Sequence, residues 1–236
     1  MKKKIFSLLL AFGIIAGIQT ASAESEERQV GVFTEISLRI PATLYVEQGK
    51  EQKVTVEADR ATLEQVITEV SGRALVVRFP SKSYLSRNFR PGRITIRVTM
   101  PEVTALNLSG SGNIVGKEPL SSVFLELSVS GSGNIDLSEL AARRVKASVS
   151  GSGNILLEGD EKAEELTASI SGSGNLKAGD FEAQAVKVTI AGSGNAWVNS
   201  NDHIQVKIAG SGSLYYHGNP NIDSSIAGSG KVSGMD

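Results

Sequence analysis

The sequence predicts an all-β fold, a parallel β-helix with coils of 18–21 residues, and two observations carry that reading. The first is a repeat. Ser109-Gly110-Ser111-Gly112-Asn113 returns as 130–134, 150–154 and 171–175, then with alanine first as 191–195, 209–213 and 227–231. Its second glycine falls at 112, 133, 153, 174, 194, 212 and 230, so the spacings are 21, 20, 21, 20, 18 and 18. The second observation is alternation. Runs such as Leu125-x-Leu127-x-Val129, Val145-x-Ala147-x-Val149 and Val186-x-Val188-x-Ile190 precede the motif, and Ile135-x-Leu137 or Ile155-x-Leu157 follow it. Period two puts those side chains on one face of a strand, and no segment here has the length or the 3.6-residue period of a helix. At about 3.3 Å per residue such a coil has a perimeter of roughly 65 Å, three short sides around a filled core, with coils stacked about 4.8 Å apart.

From the N-terminus, Lys2, Lys3 and Lys4 precede an apolar run from Ile5 to Ile18, and Ala21-Ser22-Ala23 gives the small-x-small pattern of a cleavage site. Residues 1–23 therefore read as a secretory leader, and 24–236 as a single solenoid domain. The alternative, a retained anchor, needs about 20 apolar residues, and Gly13 and Gly17 interrupt this shorter run. The expected location is outside the cytoplasm: periplasmic, on the cell surface, or secreted. The chain contains no cysteine, so no lipobox and no disulfide is available. Removing residues 1–23 takes three of 24 basic side chains and none of the 25 acidic ones, leaving a net charge of −4. That balance excludes a nucleic-acid partner. No other stretch is apolar and long enough to span a membrane.

Residues 24–106 lack the motif but alternate over Val30–Ile40, Leu44–Val46, Val54–Ala58, Leu75–Phe79 and Ile94–Met100, with room for a helical turn or two in Ala61–Val70. They read as irregular coils that cap the solenoid. Residues 107–236 are the repeat coils. The glycines suit corners that need positive φ or close backbone approach. The position before them is Ser four times and Ala three times, which reads as a crowded site. Asn113, Asn134, Asn154, Asn175 and Asn195 are expected to stack as a structural ladder of side-chain amides, ended by Ser213 and Lys231.

Nearly all of the chain after the leader resembles the head GIN domain family, autotransporter-adhesin-type proteins common in Bacteroidetes. The resemblance rests on Phe33-x-x-Ile36, Val54-x-Val56-x-Ala58-Asp59, Gly72-x-x-Leu75 and Ile96-x-Val98-x-Met100-Pro101, running in that order into the SGSGN units. It implies a right-handed β-helix, an adhesive role at the surface and no catalytic residues. Many relatives are lipoproteins, from which this cysteine-free chain departs, and no β-barrel translocator follows the repeat. The expected function is a non-enzymatic, exported binding module presenting an extended face to a glycan or protein of the cell envelope. A structural envelope protein without a small ligand is the alternative, and a carbohydrate-active enzyme a further one.

Candidate chemistry is sparse. Calcium-binding β-helix repeats need an aspartate in every turn, and here Asn or Ser stands there, so no metal or other cofactor is expected. The acids between Asp136 and Glu182 are interspersed with Lys146, Lys162 and Lys177, as on a solvated surface. His203 and His217 have no local metal-ligand pattern. Two binding candidates remain. On the outer face the column Val115, Asp136, Leu156, Lys177, Trp197, Tyr215 and Ser233 sets Trp197 beside Tyr215, with His217 at the turn, as a flat aromatic platform for a sugar ring or a protein. The acid-free segment 81–92 carries Lys82, Tyr84, Arg87, Phe89 and Arg90, with Arg93 following, and suits an anionic glycan or headgroup. The solenoid ends are a candidate contact for a homo-oligomer.

Overall fold

The computed structural model describes residues 23–81 and 89–235; the leader other than Ala23, and Lys82, Tyr84 and Arg87 of the basic segment, lie outside the described residues. The chain is an all-β solenoid of about six turns. The N-terminal part holds β1 (Glu24–Glu27), β2 (Glu35–Leu38), β3 (Thr43–Gln48), β4 (Lys53–Ala58), a single helical turn α1 (Arg60–Leu63), β5 (Ile67–Ser71), β6 (Ala74–Arg78) and β7 (Thr95–Met100). The repeat supplies β8 (Ala105–Gly110), β9 (Asn113–Gly116), β10 (Leu120–Gly131), β11 (Asn134–Leu137), β12 (Leu140–Gly151), β13 (Asn154–Gly172) and β14 (Asn175–Gly192). It ends with β15 (Asn195–Asn199), β16 (His203–Gly210), β17 (Ser213–His217), β18 (Asn221–Gly228) and β19 (Lys231–Gly234).

Every pairing within the repeat is parallel and in register with the motif. On the side preceding the corner the order is β8–β10–β12–β13–β14–β16–β18, and on the side following it β9–β11–β13–β14–β15–β17–β19. A third side closes the coil, where Leu120 pairs with Leu140 and Gly159 with Phe181. The inward residues stack into columns such as Leu127, Ala147, Ala168, Val188 and Val206, all buried. Each coil covers its neighbour's apolar face, and the inter-coil backbone bonds satisfy the peptide groups that this burial takes from water.

The corner explains the motif. The first glycine has φ between 109° and 134° in all seven copies, a region where a β-carbon meets its own backbone. The second glycine is needed for a different reason. A β-carbon at Gly133, Gly153, Gly174, Gly194, Gly212 or Gly230 would lie 2.1–2.3 Å from the carbonyl oxygen of the same glycine one coil earlier. At the same corner two successive N–H groups converge on the carbonyl of the first glycine one coil earlier: Ser132 and Gly133 both donate to Gly110 O, at 2.9 and 3.0 Å, and the pattern repeats at every later corner. The position before the first glycine, read as crowded, is exposed in every copy from Ser109 to Ala227. The crowding belongs to the glycines, and Ser and Ala exchange there because neither is confined.

The more irregular N-terminal half has its own geometry. β2 and β3 form one coil lying directly on β8 and β9. The chain then moves to the far end of that coil, where β6 and β7 pair parallel with β2 and β3. Beyond them the pairing turns antiparallel: β5 on β6, and β4 on β7 with β1 outermost. The exposed strand β1 reads Glu24-Ser25-Glu26-Glu27, charges that deter another strand from pairing with that edge. The residues shared with the head GIN pattern have structural tasks here. Phe33 and Ile36 are buried, and Gly72 takes φ 64° in the β5–β6 turn. Asp59 caps α1, its Oδ1 accepting from Thr62 N at 3.0 Å and its Oδ2 from Thr62 Oγ1 at 2.7 Å, so hydrogen bonding to Thr62 holds its carboxyl below the usual range. Helix in Ala61–Val70 stops after that turn, because β5 begins at Ile67.

The glycine contact predicts a strong effect from one methyl group. Gly153→Ala brings a β-carbon to 2.2 Å from Gly133 O and should lower unfolding free energy by about 1–3 kcal/mol, as overpacking does. Gly31→Ala, where nothing lies within 4 Å, should leave the urea midpoint within error of the parent.

Candidate functional site

The side that follows the corner carries two outward columns, two residues apart. In the first, Asn134 Nδ2 donates to Asn113 Oδ1 at 3.0 Å, Asn154 to Asn134 at 2.8 Å, and Asn175 to Asn154 at 2.8 Å. Asn195 Nδ2 donates to Asn175 Oδ1 at 3.3 Å, and the Ser213 amide then takes Asn195 Oδ1 at 3.1 Å. The second column runs Arg97, Tyr45, Val115, Asp136, Leu156, Lys177, Trp197, Tyr215, Ser233 in continuous register. The Arg97 guanidinium lies 5.2 Å from the Tyr45 ring centroid.

The Trp197 and Tyr215 ring centroids are 5.3 Å apart with planes 18° from parallel. The rings are therefore stacked face to face, because two rings lying edge to edge in one plane do not come that close. This corrects the expected flat platform. Tyr215 backs Trp197, and the other face of Trp197 looks along the solenoid axis toward the preceding coil. The Trp197 ring lines a groove of about 420 Å³ together with Leu156, Lys177, Gly179, Asp180, His217 and Met235. The His217 ring lies against Gly179, its Cδ2 3.5 Å from where a β-carbon of that glycine would stand.

A change of coil length creates this groove. From Ala178↔Val198 the register jumps to Glu182↔Asn199, so Gly179, Asp180 and Phe181 have no partners in the shorter coil that follows. Phe181 folds inward and is fully buried, whereas Asp180 stays exposed beside Trp197. The drop in motif spacing from 20 to 18 residues is the sequence signal for these two wall residues, which reading down the aromatic column alone misses.

Of the basic segment, the described Phe89 and Arg90 are not brought to this site. Phe89 packs edge-on against Phe79 with centroids 5.4 Å apart, and Arg90 Nη1 donates to the Phe89 carbonyl at 3.0 Å. A groove of about 630 Å³ lies on the third side and is walled by Glu139, Glu158, Asp160, Glu161 and Asp180. Among the described residues no three His, Asp or Glu side chains are grouped to hold a metal ion. The mid-solenoid charges pair between coils: Arg143 with Glu164, Lys146 with Glu126 at 2.8 Å, and Lys162 with both Glu182 and Asp202 at 3.1 and 3.4 Å. The Lys162 hydrogen bond, helped by Asn201, holds the Glu182 carboxyl below the usual glutamate range, the opposite of what a glycosidase acid needs.

This is an all-β solenoid of about six turns with a surface groove beside a stacked aromatic pair. The chain belongs to the family described as "Putative auto-transporter adhesin, head GIN domain", which it matches over residues 32–220. A solved structure of a "putative adhesin" from Bacteroides fragilis superposes with a TM-score of 0.83 at 24% identity, covering 91% of this chain and 97% of that one. Two from Parabacteroides distasonis each give a TM-score of 0.74 over 92% of this chain and 98% of theirs: a "putative lipid binding protein" at 26% identity and a "putative adhesin" at 23%. No curated protein sequence matches the chain significantly.

The Lys162 cluster predicts a pH dependence. A carboxyl held low in the folded state stabilises above its ordinary range, and that contribution fades as pH falls through the folded value. In side-chain NMR titrations Glu182 should titrate below the ordinary glutamate range and move up toward it in Lys162→Met; coincident titration of Glu182 in both proteins contradicts the assignment.

Proposed function

We propose that the chain is an exported, non-enzymatic, adhesin-type module of the cell envelope that binds glycan by stacking a sugar ring on Trp197. The observation that carries this reading is the arrangement around that ring. Tyr215 stacks on it, the ring lines a surface groove, and a carboxylate, an imidazole and an ammonium stand in the same groove. A pyranose has an apolar face and a rim of hydroxyls. An aromatic face takes the first, and Asp180, His217 and Lys177 offer acceptors and donors to the second. Export follows from the leader expected over residues 1–23. The adhesin-type family and its solved relatives suggest an extracellular or envelope location, and no described helix is long and apolar enough to cross a membrane.

One similar structure carries a lipid-binding description, and that reading gains no support from the core here. The inward columns are filled by Leu, Ile, Val and Ala side chains that are almost completely buried. The groove at Trp197 and the groove on the third side are both open at the surface, and neither is an enclosed apolar slot for an acyl chain.

On a glycan array, Trp197→Ala should lose at least tenfold of the parent's signal, since one aromatic stacking contact together with its buried area amounts to about 1.5 kcal/mol or more. Tyr215→Ala should lose less, because it removes only the backing ring. Far-UV circular dichroism should stay unchanged in both. Undiminished binding by Trp197→Ala removes the site.

A further inference from the structure

The groove at Trp197 does not end at Lys177. Leu156 and Lys177 also line a second groove of about 380 Å³, which continues past Asp136 and Val115 to Asn113 and Thr43. Val115, Asp136, Leu156, Lys177 and Trp197 occupy five successive coils, so the combined trough is about 19 Å long at one strand spacing per coil. Trp197 is the last residue of that row. Along one flank runs the asparagine ladder.

That ladder leaves chemistry unused. A primary amide has two N–H donors and two acceptor lone pairs. Asn134 and Asn154 each spend one donor on the previous coil and one acceptor on the next, and Asn113 spends a single acceptor. Each therefore keeps at least one donor and one acceptor, and all three are only half-buried. The result is a row of identical, uncharged donor–acceptor pairs repeating every coil. An extended peptide gains little here, because the backbone groups of these strands are already committed to the coils on either side and offer no edge for strand addition. A polymer that repeats hydroxyls along its length matches such a row.

Building on the sugar-stacking reading, the geometry points to a linear oligosaccharide as the ligand, with its last ring on Trp197 and its following rings lying along the asparagine ladder across the coils of Lys177, Leu156, Asp136 and Val115. Affinity then depends on chain length, and the middle of the trough contributes separately from the aromatic end.

The test uses the chain without its leader and a length-graded panel of linear glucans, mannans, galactans, glucosamine polymers and uronans, each from disaccharide to hexasaccharide, read by calorimetry. At least one series should bind, with hexasaccharide at least tenfold tighter than disaccharide. Val115→Arg, a change at a half-exposed outward position that lines the second groove and not the one at Trp197, should weaken the hexasaccharide at least threefold while leaving the disaccharide unaffected. Binding that Trp197→Ala abolishes but that neither chain length nor Val115→Arg alters overturns the trough and leaves the aromatic site standing. Binding indifferent to Trp197→Ala overturns the stacking reading, and failure of every series, or capture of extended peptides instead, overturns both.

Discussion

The molecule depends on the close approach of one glycine backbone to the next. From Gly133 onward the second glycine of the motif sits over the carbonyl of its counterpart one coil earlier, with no space for a β-carbon. At the same corners two N–H groups converge on the carbonyl of the first glycine one coil earlier, and together these contacts fix the axial position of each coil. Once the corners are aligned, like residues lie over like. The apolar columns, the asparagine ladder and the inter-coil ion pairs all follow from that alignment and could not form if the corners slipped.

Alignment also accounts for the proposed site. Trp197 and Tyr215 are 18 residues apart in sequence and become stacked neighbours because their corners coincide. The same rule places a new surface wherever coil length changes. Shortening the coil leaves Gly179 and Asp180 standing beside Trp197 instead of being covered by the next turn. In a solenoid of equal coils the outer face is a uniform ribbed sheet. A local loss of two residues is enough to turn it into a groove with walls of mixed chemistry.

The repeat half was legible because its signals are periodic. The motif gives the corners, alternation gives the inward face, and together they set the register that places Trp197 on Tyr215. Two things were harder to read. The antiparallel order of β1, β4 and β7 depends on long-range pairing, and Val54–Ala58 alternates in the same way whichever neighbour it meets. The orientation of the aromatic rings was missed because register fixes which residues are adjacent but not their side-chain torsions. Face-to-face stacking, rather than a shared plate, comes from how the two rings pack on one strand spacing. The exposure of Ser109 and its counterparts was misread for a related reason: substitution by small residues alone does not distinguish a cramped site from a bare corner.

Because the chain has no cysteine, paired cysteines report the alignment directly. Thr189, Lys207 and Ser225 are exposed and occupy the same place in three successive coils. Neighbouring coils put the first two about 4.8 Å apart, within disulfide reach, whereas two coils separate Thr189 from Ser225 by roughly twice that. Mild oxidation should cross-link Thr189→Cys/Lys207→Cys almost completely and leave Thr189→Cys/Ser225→Cys reduced. An uncross-linked first pair, or efficient cross-linking of the second, would contradict the stacked corners on which the whole account stands.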